Sequence, residues 1–390
     1  MGSRVSRRAV IGSVAAVIST GITGGCLSTQ EDGSADRPPT PELEGLHPAY
    51  GVTPERTHCN PDASLPGEAP TVDWTFDGGG PFSSTPAVVS QTAYVGCDDG
   101  SVYAVALADG TKVWQYETQR RVVSSPVIFE DTIYVGSTSG TVHAIAADDG
   151  TERWTYETGG TVVSSPMVGY GSVYVGSYDA SVYSLALDDG SQQWTVDATE
   201  GIASSPAVAN GRVYIASGDG VVRAIEAASG DVQWTYDTNA TVLGTPAVAD
   251  GAVYVGSSGS GSELLRIDAQ SGSKDWAVTT GDSVIASPAV TDGRVFVGSS
   301  DGNCYAVAAG SGEVEWQTEI GSEVNWSPLH TGDGLCVADD QGTLYELAPA
   351  DGSIRWSDAS LGITSAQVAG DGTIYVGGKN DRLYALTARS

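Results

Sequence analysis

From residue 70 onward the chain alternates apolar and polar positions in short runs, and the runs recur with a fixed period. Trp74, Trp114, Trp154, Trp194, Trp234, Trp276, Trp316 and Trp356 follow one another at spacings of 40, with a single 42 between Trp234 and Trp276. Only Trp326 stands outside the series. Each period carries four β-like runs. The first has the form of Ser124-Ser125-Pro126, Ser164-Ser165-Pro166 and Ser204-Ser205-Pro206; the second runs as from Val173 to Ser177; the third as from Val182 to Leu185; the fourth surrounds Trp. Asn210-Gly211, Asp250-Gly251 and Asp292-Gly293 supply hairpin turns between alternating β-branched and aromatic residues. Nothing in the repeats reads as a helix.

Four strands per repeat of this length describe a β-propeller blade, because a small sheet buries both faces only when neighbours stack on it. Counting the ends gives an all-β ring of eight blades. Trp74 belongs to a fourth strand with no three before it, whereas the last unit, from Ile363 to Thr387, has three runs and no Trp. Joining these halves completes the eighth blade and removes two sheet edges. The Gly-His and Trp-Asp signatures of seven-bladed WD-type rings do not occur.

Gly110, Gly150, Gly190, Gly230, Gly272, Gly312 and Gly352 each lie four positions before a periodic Trp. The pattern resembles the tryptophan-docking motif of quinoprotein-type (PQQ-like) propellers over residues 70–390. The resemblance implies that each indole packs on a Gly turn of an adjacent blade, where Gly permits close approach and the buried N–H finds an acceptor. Pro70 occupies the Gly position before Trp74, so the closing blade is expected to dock differently. Residues 48–69 resemble the pre-propeller stretch of this group, and the whole is BamB-like in architecture.

Composition changes the picture at the surface. There are 18 Lys+Arg against 48 Asp+Glu, a net charge of −30, and Lys112, Lys274 and Lys379 are the only lysines. Such an acidic balance excludes nucleic acid as a main partner, since that needs a basic footprint. With 40% hydrophobic residues the acidity belongs to a folded surface, and it resembles that of halophile proteins.

The first 25 residues form an address. Arg4, Arg7 and Arg8 precede a 14-residue apolar stretch from Ala9 to Ile22, too short to span a membrane as a helix. Ser6-Arg7-Arg8-Ala9-Val10-Ile11 resembles a twin-arginine export motif, with Arg7 and Arg8 as the signal. Thr23-Gly24-Gly25-Cys26 resembles a lipobox, which makes Cys26 the lipid-attachment residue; it departs from the pattern at Thr23. Ordinary cleavage to a soluble product is the alternative. Cleavage after residue 25 removes three Arg and no acid, leaving 15 Lys+Arg, 48 Asp+Glu and a net charge of −33. Residues 26–47 then read as a polar, Pro-rich linker.

Little in the repeats carries chemistry. Family enzymes hold pyrroloquinoline quinone with a metal, adjacent cysteines and acidic ligands on long insertions, and none of these transfers: there is no Cys-Cys pair, and His47, His58, His143 and His330 lack ligand spacing. Asp98-Asp99-Gly100, Asp148-Asp149-Gly150 and Asp188-Asp189-Gly190 read as turns rather than calcium sites. Cys59, Cys97, Cys304 and Cys336 allow three connectivities if all pair, and the sequence does not choose among them; single buried thiols are the expectation. No cofactor or metal is expected.

Function is sought where the repeats differ. Two positions before the first-run Pro, on strands expected to line the channel, stand Ser84, Ser124, Ser164, Ser204, Gly244 and Ala286, then Trp326. The preceding positions supply Arg120 and Arg121 in one repeat, but Glu200, Asp282, Glu323 and Asn325 in others, and His330 replaces a Val-like position. These eight residues form the candidate binding face, with Trp326 as filler and His330 as a core residue the bland alternatives. The expected function is a non-enzymatic, lipid-anchored, extracytoplasmic protein-binding scaffold, monomeric and touching the membrane through its lipid only. A quinoprotein dehydrogenase, or a small-ligand sensor at the channel mouth, are the alternatives.

Overall fold

Each four-run period folds into one four-stranded antiparallel sheet, and eight such sheets form a propeller ring. This computed structural model describes residues 46–47, 53, 55–61, 63–259, 261–291, 293–363, 368–369 and 372–388, with no helix among them. Arg7, Arg8, Cys26, nearly all of the linker and Asp292 of the third hairpin turn lie outside the described residues.

From channel to rim, blade 1 comprises Ala87–Val89, Thr92–Gly96, Ser101–Ala106 and Lys112–Glu117. Blades 2 to 7 repeat this order, starting from inner strands Val127–Phe129, Met167–Gly169, Ala207–Ala209, Ala247–Ala249, Ala289–Thr291 and Leu329–Thr331. Blade 8 takes Val368–Ala369, Thr373–Gly377 and Arg382–Thr387 from one end of the chain and Thr71–Asp77 from the other, with Thr71 opposite Thr387 and Asp77 opposite Arg382. Middle strands face a blade on each side, so Thr132–Gly136 and Thr141–Ala146 are buried throughout. Outer strands bury little besides Trp, as in Glu152–Glu157. The hairpins turn where both central residues have positive φ, as at Asn210 (51°) and Gly211 (76°), which suits the right-handed strand twist.

Across blade boundaries each outer-strand indole donates to a carbonyl 33 or 35 residues on, from Trp74 to Leu107 (2.7 Å) through Trp194 to Ala227 (2.9 Å) to Trp316 and Pro349 (3.0 Å). The turn that bears the carbonyl presses its Gly on the ring. At Gly190 the backbone is left-handed (φ +70°) and an added Cβ would stand 2.5 Å from Trp154, so both the conformation and the space require glycine. Trp356 differs: its N–H lies 2.9 Å from the carbonyl of Pro66 and 2.6 Å from buried Glu346. The segment before the ring thus fills the eighth docking place.

Two devices close the middle of the ring. The residue just before each first-run Pro forms a belt, in which the amides of Thr85, Ser125, Ser165, Ser205, Thr245 and Ser287 donate to the next blade's hydroxyl at 2.9–3.1 Å, ending on Ser327. Inside the belt the chain's own N-terminal segment fills the channel. Leu46–His47 pair with the inner strand of blade 2, while the carbonyls of Glu55, Thr57 and His58 accept from the inner strands of blades 5, 6 and 7. Cys59–Asn60 then add a parallel strand to blade 7. Arg56 is 1% exposed; its guanidinium donates to the carbonyls of Ser165 (2.8 Å), Pro166 (2.9 Å) and Pro206 (3.1 Å). Arg56 and His58 both hold left-handed backbone, at φ 59° and 48°.

Cys97 and Cys304 are buried thiols, with burial pushing each up to about 12. Cys59 departs from the expectation of single thiols: it is disulfide-bonded.

Candidate docking face

Loops that lead from an outer strand to the next inner strand all emerge on one face of the ring, together with the turns between second and third strands. Arg120, Arg121, Glu200, Asp282, Glu323, Asn325 and Trp326 lie on seven positions of these loops. His330 does not join them. It sits in the inner strand of blade 7, its ring stacked on Phe296 (centroids 5.6 Å, planes 5° apart) and its Nδ1 3.5 Å from the Cys59 sulfur. Burial, reinforced by Arg294, lowers its pKa to about 4.

The charges on this face are split around the ring. Arg120 and Arg121 precede blade 2 and are exposed, with Arg121 paired to Asp98 at 2.5 Å; Asp282 precedes the diametrically opposite blade 6. Beside it, Asn325 donates to Glu323 (3.0 Å) and Asp340 (2.9 Å) and accepts from Ser300 (2.7 Å). Burial raises the pKa of Asp340, whose carbonyl also accepts from Lys379 at 3.0 Å.

The small residues two before Pro do not line an open channel. The Ser84 hydroxyl turns into its own blade, accepting from Gly96 N–H (2.7 Å), and Ser124, Ser164 and Ser204 accept alike at 3.1 Å. Trp326 cannot make that bond. It is half-buried against the apolar cluster shared by blades 7 and 8, and its indole nitrogen is buried without a hydrogen-bond partner.

Two periodic features of the face escaped the reading of individual residues. Three positions before Pro, side chains point out after an inward neighbour such as Val122: Val123, Val163, Ala203 and Ile285 are half-buried and Leu243 is 40% exposed. Asn325 and Ser83 interrupt them at blades 7 and 1. The outer strands meanwhile end in exposed Glu117, Glu157, Asp197 and Asp237 at 40-residue spacing and in Glu319 in blade 6, with Thr279 at the blade 5 position. Comparing one column of the repeat at a time would have found both.

The turn carboxylates have structural partners. Asp99, Asp179 and Asp301 each accept from a Tyr hydroxyl four residues on, at 2.6–2.7 Å, and from a backbone N–H in the preceding loop. Blade 2 has Ser139 and His143 instead. His143 is 4% exposed, within hydrogen-bond distance of Ser137 and Tyr116 (both 3.1 Å), and burial lowers its pKa to about 4, with Glu152 opposing. A folded pKa below the unfolded value of about 6.5 gives stability that is complete above pH 6.5 and lost as pH falls towards 4. At about pH 5 this one group costs on the order of 2 kcal/mol. Replacing His143→Tyr together with Ser139→Asp restores the clip of blades 1, 3 and 6. The double variant should therefore lose less melting temperature than wild type between about pH 7.5 and pH 5; equal losses would contradict a protonation cost at His143.

The quinone and metal brought in by the family resemblance do not fit the described residues. Residues 55–60 and the Arg56 guanidinium occupy the channel core, and among the described residues no group of three or more His, Cys, Asp and Glu is placed to hold a metal ion.

The family described as the β-propeller of beta-alanine-activating enzyme matches residues 129–388, and that described as outer membrane protein assembly factor BamB matches residues 69–127. No curated protein matches the chain. Among solved structures, BamB from Moraxella catarrhalis is 20% identical, over 82% of this chain and 98% of its own, with a TM-score of 0.68. Quinohemoprotein alcohol dehydrogenase from Comamonas testosteroni is 13% identical over 89% and 81%, with a TM-score of 0.74. The computationally designed Ika8 protein is 14% identical over 81% and 99%, with a TM-score of 0.71. At these identities the structures share the fold, and a fold by itself does not carry a function. With two thirds of its length matched by one propeller family, the chain belongs to the family of beta-alanine-activating-enzyme β-propellers, as an eight-bladed ring of PQQ-like repeats.

Proposed function

We propose that this propeller is a non-enzymatic scaffold, held outside the cytoplasmic membrane by a lipid on Cys26, that binds another protein through its loop face. The observation that carries the reading is the filled channel: Arg56 and its neighbours take the place where a ligand or cofactor would sit, so what remains for recognition is surface. The match of residues 69–127 to an outer membrane protein assembly factor supports a partner that is a protein. Closure supports the export route. Blade 8 needs both Thr71–Asp77 and Arg382–Thr387, so the ring is complete only once the whole chain has been made, which suits twin-arginine transport of folded proteins.

The test is a pull-down from native membranes in high salt. Trp and Arg are the side chains that most often dominate interfaces. Recovery of the partner should fall for Trp326→Ala and for Arg120→Glu with Arg121→Glu, while Cys26→Ser moves the protein from membrane to medium. Undiminished recovery with all of these variants would remove the loop face from the function; a Cys26→Ser protein still held in the membrane fraction would remove the lipid anchor.

A further inference from the structure

The loop face has the anatomy of an interface: an apolar centre inside a charged rim. We infer that it takes an extended segment of a partner protein in which apolar side chains alternate with Lys or Arg. The inference rests on the scaffold reading and specifies the chemistry of the partner.

The centre is built by the repeat itself. In the loop before each inner strand an inward residue wedges between blades, as Val122 does against Gly96, and the next, before the strand that starts at the channel, is only half-buried or exposed. Val123, Val163, Ala203, Leu243 and Ile285 hold that second position on five consecutive blades. They form one crescent, because the amide-to-hydroxyl belt joins these blades immediately below, and the backbone at Ile285 approaches within 2.8 Å of a Cβ built on Gly244. Arg56 closes the channel at the level of the belt, bonded to carbonyls beside Ser165 and Ser205, and gives the crescent a floor. Tyr178, 53% exposed on a turn of the same face, adds an aromatic side chain. Scattered exposed apolar residues need no explanation, but a row repeated at one position on five consecutive blades does.

Charge selects the occupant. Glu117, Glu157, Asp197, Asp237 and Glu319 stand at the rim end of the outer strands of blades 1, 2, 3, 4 and 6, and Glu200 and Asp282 lie between rim and mouth. Arg120 and Arg121 stand at the blade 2 end of this face and take a carboxylate elsewhere on the same partner; from blade 3 to blade 6 an acidic peptide would meet Asp197, Glu200, Asp237, Asp282 and Glu319, whereas Lys or Arg spaced between apolar residues finds these carboxylates outside the crescent. Asn325 and Ser83 end the crescent at blades 7 and 1, so the segment spans blades 2 to 6 and does not encircle the mouth.

The experiment uses the mature full chain, in salt that keeps it folded, and three labelled synthetic decapeptides read by fluorescence anisotropy: alternating Leu-Lys, Leu-Glu and Ser-Lys. The Leu-Lys peptide should bind at least tenfold more tightly than either of the others. Leu243→Asp with Ile285→Asp should weaken it tenfold or more, and Glu117→Lys with Glu157→Lys and Asp197→Lys should weaken it severalfold. If the Asp pair fails to fold by circular dichroism, Leu243→Ser gives the same reading at a position already 40% exposed. Equal affinity for all three peptides, or Leu-Lys binding indifferent to the crescent variants, would overturn the inference. A pull-down partner lost on Trp326→Ala but kept by the crescent variants would also overturn it, while leaving the scaffold function standing.

Discussion

Deleting residues 373–390 is expected to abolish cooperative unfolding of the whole ring, although it removes only the last two strands. Those strands bury Ile374, Tyr375, Val376, Leu383, Tyr384, Ala385 and Leu386, none more than 7% exposed. At about 1.5–3 kcal/mol for each large apolar side chain, their loss is on the order of 10 kcal/mol, as large as the whole net stability of an ordinary domain. Deletion also unpairs Thr71–Asp77 from its one sheet neighbour among the described residues and opens the ring on both sides of the gap. The check is a denaturant titration followed by Trp fluorescence in molar salt. A truncated protein melting within a few degrees of the full chain would show that blade 8 does not close the ring energetically.

Trp194→Ala is expected to cost about 3–5 kcal/mol, the range for removing a large buried aromatic. The indole is 8% exposed, stacks near Tyr174 (centroids 5.6 Å apart) and donates to the Ala227 carbonyl across the blade boundary. A double-mutant cycle with Gly230→Ala isolates the docking contact. In the wild-type background the new Cβ meets the Trp194 ring at 2.9 Å and also strains a backbone at φ +80°; without the indole the backbone strain and the 3.1 Å approach of the remaining Cβ are left, while the ring contacts are gone. The cost of Gly230→Ala should therefore shrink in the Trp194→Ala background. Trp326→Ala, a half-buried ring with no hydrogen bond, should cost less than half as much as Trp194→Ala. Additive costs at 194 and 230 would contradict a docking contact, and equal costs for the two tryptophans would make Trp326 part of the core.

What could be read without coordinates was whatever repeats. The periodic Trp, the hairpin turns and the unmatched Trp74 strand are local patterns, and each has one physical solution: blades that bury both faces by stacking and a ring that closes through its two ends. Eight blades and the mixed eighth sheet follow from them. The candidate face was legible in part, since the loop residues from Arg120 to Trp326 stand at equivalent repeat positions and equivalent positions emerge on one side. His330 was not, because its departure from a Val-like column does not say which way it points; only the packed structure sets it between Phe296 and Cys59. The filled channel was the largest decision left to tertiary structure. Residues 46–47 and 55–60 bind the inner strands through backbone amides and carbonyls, and Arg56 is held by three carbonyls that any sequence would offer. Such contacts leave no residue pattern, so the sequence determined the ring and its period, while the fold in space determined what fills its centre and which face remains to meet a partner.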